Sequence, residues 1–168
     1  MPAIEAARSV SLFATLHPQS RRTTMPTYVF STAKDLTAEQ RAKLVESVTS
    51  IHHAEAKAPR FLVQVIFYKV ETGSLFRGGE AASVDDIWVR ADIRSGRTKE
   101  QKANILHRIM RETSDILQIS RESVWVYISD IPAENIAELG AILPQPGGEE
   151  KWLETLPGAL REKLLSAS

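Results

Sequence analysis

The chain reads as an α+β protein: two tandem βαβ units related by a pseudo-two-fold, building a four-stranded mixed sheet with two helices on one face. Three observations predict this. The segment Thr37-Ala38-Glu39-Gln40-Arg41-Ala42-Lys43-Leu44 recurs 61 positions later as Thr98-Lys99-Glu100-Gln101-Lys102-Ala103-Asn104-Ile105. Each copy opens with Thr-x-x-Gln, a capping box in which the hydroxyl accepts from an early helix N–H and the glutamine reaches back. A strand-like run precedes each helix (26–32 and 87–93) and another follows it (61–68 and 123–129). In each unit the two strands lie parallel, with a right-handed crossover.

The elements follow in chain order. Residues 1–24 carry Arg8, Arg21 and Arg22 against one acid, Glu5, with several Ser and Thr and no strand pattern. Mitochondrial transit peptides share that composition; an upstream start codon or a disordered extension is the plainer reading. Met1-Pro2 has no strand behind it, whereas Met25-Pro26 leads directly into Thr27-Tyr28-Val29-Phe30. The first helix carries Leu44, Val45, Val48 and Ile51 at helical spacing, and the second Ile105, Leu106, Ile109, Met110, Ile116 and Leu117. Residues 73–79, with Gly73, Gly78 and Gly79, read as a hairpin or loop between the units. A short helix is expected over 133–140 and a C-terminal helix over 149–166. In the fourth strand Trp125 and Tyr127 alternate with Val124, Val126 and Ile128. Large side chains on both faces favour burial of the second face against another subunit.

Composition narrows the function. Hydrophobic residues make up 43% of the 168, and Lys+Arg balance Asp+Glu at 21 each, so neither nucleic acid nor an anionic membrane surface is an expected partner. No apolar run approaches the ~18 residues that span a bilayer. Without cysteine there is no thiol nucleophile, and the four histidines form no spaced cluster with acids. A cytoplasmic, metal-free, cofactor-free protein is expected.

Candidate site residues have bland readings beside the chemical ones. Pro26, as a first residue, would be a secondary amine with a pKa near neutrality, since an α-amino group titrates at about 7.7–8.0. Inside a chain it is an amide without a basic nitrogen. Arg94-Ser95-Gly96-Arg97 joins the third strand to the second helix. Cations there oppose the helix dipole unless an anion binds, and a solvated turn is the alternative. His52 falls near the buried stripe of the first helix, as a core or capping histidine would; His53 points elsewhere. Tyr127 reads as core packing, and Glu138 as a solvated carboxylate on its short helix.

Taken jointly these residues resemble the tautomerase superfamily, and within it the cis-3-chloroacrylic acid dehalogenase-like family. The resemblance runs from Pro26 to about Gly147. It is carried by Pro26, Leu36-Thr37, His52, Phe61-Leu62, Gln64-Val65, Phe67, Gly73, Phe76, Gly78-Gly79, Arg94-x-Gly96-Arg97, Trp125-Val126-Tyr127, Pro132-Ala133, Glu138 and Leu143-Pro144-Gln145-Pro146-Gly147. The loop Ala54-Glu55-Ala56-Lys57-Ala58-Pro59 and the leader depart from the family pattern. The resemblance implies a homotrimer and hydration or hydrolytic dehalogenation of a small cis-3-substituted acrylate. Pro26, Glu138 and Tyr127 would be catalytic, with Arg94, Arg97 and His52 binding the carboxylate. Enol-keto tautomerisation and a non-catalytic oligomeric interaction role are the alternatives.

Overall fold

In a computed structural model, which describes residues 26–145 and 148–166, the chain folds as two like units on one sheet. The first contains β1 (Thr27–Thr32), α1 (Ala38–Ala56) and β2 (Gln64–Lys69); the second β5 (Ile87–Arg94), α2 (Lys99–Leu117) and β6 (Val124–Ile131). Between them lies the hairpin β3 (Phe76–Arg77) and β4 (Glu80–Ala81). The sheet order is β2-β1-β5-β6: β1 pairs parallel with β2, β5 parallel with β6, and β1 with β5 antiparallel. The expected leader lies outside the described residues.

The repeat extends to the helix ends. Both helices span 19 residues, and Thr37 and Thr98 each complete a reciprocal capping box, with Gln40 and Gln101. Both end on a left-handed residue, Lys57 at φ 57° and Gln118 at φ 53°. One turn of 3-10 helix follows each, Arg60–Leu62 and Arg121–Ser123. The second and fourth strands therefore start later than the sequence pattern suggests, at Gln64 and Val124.

One face of the sheet holds the core. Tyr28 and Phe30 of β1 and Ile87, Val89, Ala91 and Ile93 of β5 are buried under Leu44, Val48 and Ile51 of α1 and Ile105, Ile109 and Leu117 of α2. Val45, counted with that stripe from its spacing, is instead exposed. The helices pack on each other, with Arg108 of α2 3.0 Å from Glu55 of α1. On the other face Tyr68, Trp125 and Tyr127 are exposed.

The C-terminal third departs most from expectation. No helix runs over 133–140. A 3-10 turn at Ala133–Asn135 leads into the hairpin β7 (Ala137–Glu138) and β8 (Ala141–Ile142). Leu139 (φ 53°) and Gly140 (φ 82°) form its two-residue connection, both in the positive-φ region that such hairpins demand. The single helix expected over 149–166 is two, α3 (Glu149–Thr155) and α4 (Gly158–Ser166). Pro157 divides them: it has no N–H to donate and holds Leu156 extended at φ −77°, ψ 152°. Trp152 and Leu156 form a second core with Ala133 and Leu143, and the Trp152 indole N–H donates to the Ile142 carbonyl at 2.9 Å.

The capping boxes yield a direct prediction. Thr98→Ala removes the bond that Gln101 N–H donates to the Thr98 hydroxyl at 3.1 Å. It should cost about 0.5–2 kcal/mol of stability, read by urea denaturation with an unchanged slope. A midpoint identical to the parent's would show that this cap contributes nothing.

Candidate functional site

The antiparallel β1–β5 pair brings the start of the first strand beside the end of the third. Thr27 lies opposite Asp92, so Pro26 adjoins the end of β5, where Arg94 and Arg97 follow. Pro26 is buried and its carbonyl accepts from the Gln64 N–H at 2.9 Å. Met25 precedes it in this sequence, which makes its nitrogen an amide. Helix α1 runs back across the sheet and ends at the same edge, and α2 starts there. Gly96, at φ 107°, supplies the left-handed turn between the two arginines.

His52 is fully buried, and its Nδ1 lies 2.7 Å from the Tyr28 hydroxyl. Burial, reinforced by the nearby Arg97 charge, pushes its pKa down to about 3. The imidazole is therefore neutral across the physiological range. Burial likewise holds the Tyr28 hydroxyl protonated well above its ordinary range, with Arg97 opposing weakly. With Tyr28 as the donor, Nδ1 accepts and the ring proton sits on Nε2; with Tyr28 as the acceptor, the roles of the two nitrogens reverse. Arg97, 6% exposed, is the charge that both rings sense. Tyr28 went unrecognised in the sequence because a strand residue at a core position carries no mark of its hydroxyl's partner. His53 is exposed, and its Nδ1–H donates to the Ala58 carbonyl at 2.6 Å.

Arg94 is 1% exposed. Its guanidinium donates to the Pro144 carbonyl and to the Glu149 carboxylate, the latter at 2.5 Å. Glu149 is the second residue that sequence reading missed; a carboxylate on the first turn of a helix is ordinarily explained by the dipole alone. The Ser95 N–H donates to the Ile131 carbonyl at 2.9 Å, fastening the arginine loop to the end of β6. Beyond β6 the chain turns at Pro132 into the β7–β8 hairpin, which returns to Pro144. Glu138 thus belongs to a hairpin tied to Arg94 through the residues that follow it, and not to a solvated helix. It is half-buried, and burial raises its pKa above the usual carboxylate range, which makes it the stronger base when ionised.

Tyr127 lies apart from these groups within one chain. It pairs with Arg90, four residues up the strand from the Arg94–Ile131 pair, which is about 13 Å along the sheet. Its ring meets Trp88 edge-on at 6.0 Å. Together with Trp125, Phe76, Arg77 and Asp86 these residues line a cleft of ≈ 420 Å³ on the open face, beside the β3–β4 hairpin. Among the described residues no group of three His, Asp or Glu side chains is arranged to hold a metal ion, and no helix is long and apolar enough to cross a membrane.

Comparison with known proteins agrees with this fold. Residues 25–155 match a family described as "Putative oxalocrotonate tautomerase enzyme". A solved structure of N1, a member of the cis-3-chloroacrylic acid dehalogenase family, is 43% identical, covers 83% of this chain and 99% of its own, and superposes with a TM-score of 0.80. Native Ps01740 is 35% identical over 67% of this chain and 99% of its own, with a TM-score of 0.63. At 21% identity, a fused 4-OT in the form of an asymmetric trimer shares the fold alone, with a TM-score of 0.65 over 69% of this chain and 94% of its own. No curated protein is a recognisable sequence match.

The buried neutral histidine gives a pH prediction. Unfolded, His52 takes up a proton below about pH 6.5; folded, it does so only near 3. Its contribution is therefore complete above the unfolded pKa and is lost progressively as pH falls through that window. Between about pH 7 and pH 4 the parent should lose roughly 3 kcal/mol more than His52→Gln, measured by urea denaturation. Equal losses would mean that His52 titrates normally in the folded protein.

Proposed function

The chain belongs to the tautomerase superfamily, in its cis-3-chloroacrylic acid dehalogenase-like family, and on that premise we propose that it hydrates and dehalogenates a small cis-3-substituted acrylate without a cofactor. The observation that carries this reading is the gathering of Pro26, His52, Arg94, Arg97 and the Glu138 hairpin at one end of the sheet. An anion held by guanidinium groups, beside a strand terminus able to bear an amine and a carboxyl of raised basicity, is what conjugate addition of water requires.

On this reading Arg97 and Arg94 hold the substrate carboxylate and draw electron density from C3. His52, with Tyr28 donating to its Nδ1, donates from Nε2 to the same carboxylate. Glu138 takes a proton from water as its oxygen bonds to C3, and the cationic Pro26 amine gives a proton to C2. The 3-halo-3-hydroxy acid so formed loses its hydroxyl proton and expels halide, leaving an aldehyde acid. Tyr127 assists the water only if a neighbouring subunit's sheet brings it across, because within one chain it stands too far up β6. A homotrimer packed on the exposed aromatic face would do so, and the trimeric 4-OT relative has the same fold.

Proton delivery to C2 requires a free Pro26 nitrogen; the carboxylate site itself does not. A chain beginning at Pro26 should turn over a cis-3-haloacrylate, and the 168-residue form should be far less active. Equal turnover by both, with the leader intact by mass, would refute the role of the amine.

A second reading is enol-keto tautomerisation, such as phenylenolpyruvate to phenylpyruvate, which needs a proline base and an anion site but no activated water. Glu138→Gln separates the two. It should lose about two to four orders of magnitude in dehalogenation while keeping most tautomerisation. Parallel loss of both activities would assign Glu138 to structure or to tuning Pro26. Unchanged dehalogenation would remove it from the mechanism.

A further inference from the structure

Glu149 opens α3 with its carboxylate 2.5 Å from Arg94. The two residues are only 4% and 1% exposed. Neither group holds its charge cheaply in such a place by itself, and removing one partner strands the other. The pair is also tied into the hairpin that carries Glu138: Arg94 donates to the Pro144 carbonyl, and α3 is pinned by the bond from Trp152 to Ile142. Glu149 is therefore a fixed part of the arginine end of the sheet and not a surface charge that can swing away.

The consequence is one of charge. Where water is largely excluded, charges are weakly screened, and a single unit alters which ligand is matched. Arg94 and Arg97 stand three residues apart on one connection, and the Glu149 carboxylate lies against the first. The neutral His52 adds no charge of its own. A ligand with one carboxylate would be matched by the guanidinium charge there, whereas a second carboxylate would add to the negative charge that Glu149 and Glu138 already bring to this end of the sheet.

We infer that Glu149 is a specificity-determining residue: by cancelling the charge of Arg94 it makes the site accept a monocarboxylate and turn away a dicarboxylate. The inference rests on the reading of Arg94 and Arg97 as the carboxylate site and narrows the substrate class to monocarboxylates.

Calorimetric titration of the full chain with acrylate and with its cis-dicarboxylate counterpart, maleate, tests it. The parent should bind acrylate roughly tenfold or more tightly than maleate. Glu149→Gln should move the ratio of the two affinities roughly tenfold or more toward maleate. Glu149→Asp, which keeps the charge, should hold the parent ratio even if both affinities drop. A purely structural role would weaken both ligands together and leave the ratio alone. An unchanged ratio in folded Glu149→Gln overturns the inference. So does a parent that binds maleate as tightly as acrylate, a result that stands even if the variant fails to fold. Arg97→Ala distinguishes the two levels of the account. If acrylate binding vanishes in Arg97→Ala but the Glu149 ratio does not move, only the specificity role falls. If Arg97→Ala binds acrylate like the parent, or the parent does not bind it, the carboxylate site is elsewhere and both readings fall.

Discussion

The antiparallel pairing of β1 with β5 is the constraint on which the rest depends. Each βαβ unit alone would carry its strand starts at one end of the sheet and its strand ends at the other. Joining the units through the register Thr27–Asp92 to Thr32–Ile87 puts the start of the first strand beside the end of the third. One edge of the molecule thereby collects the first-strand terminus, the C-terminal turn of α1, the connection into α2 and the chain leaving β6. Pro26, His52, Arg97 and the Glu138 hairpin are separated by up to 112 positions, yet the start of β1, the last turns of α1 and the ends of β5 and β6 bring them to that edge.

Electrostatics at this edge follow from burial more than from any single contact. His52 gives up its charge because solvent is excluded, and its neighbour Arg97 opposes protonation further. Arg94 is accompanied into the interior by the Glu149 carboxylate, which offsets the cost of burying its charge. Glu138, half-buried, becomes more basic. The site thus offers a neutral donor, two guanidinium groups of unlike surroundings and a carboxyl displaced toward neutrality, which suits chemistry on a small anion in water.

Much of the fold was legible in the sequence because the repeat is local: capping boxes, helix stripes and strand alternation all act within a few residues. Arg94, Arg97 and His52 could be nominated from their places at strand and helix ends. What escaped was tertiary. Tyr28 and His52 are 24 residues apart, and Arg94 and Glu149 are 55 apart; periodicity holds no record of either pairing. The Glu138 hairpin was misread as helix because its turn uses Leu139 at positive φ, where asparagine or aspartate before glycine is the usual signal. The break at Pro157 was written in the chain, and the apolar spacing on both sides of it obscured it. Alternation placed Trp125 and Tyr127 on one face of the fourth strand, and both are exposed in the chain; the core packing expected of Tyr127 is not found.

The central claim, that this edge of the sheet is a carboxylate site next to a free proline nitrogen, is tested most directly by a crystal structure of the chain beginning at Pro26, grown with acrylate. The ligand carboxylate should lie within hydrogen-bonding distance of Arg97 and His52 Nε2, with its C2 carbon facing the Pro26 nitrogen. Acrylate bound in the aromatic cleft beside Trp88, or anywhere remote from Pro26, would contradict it.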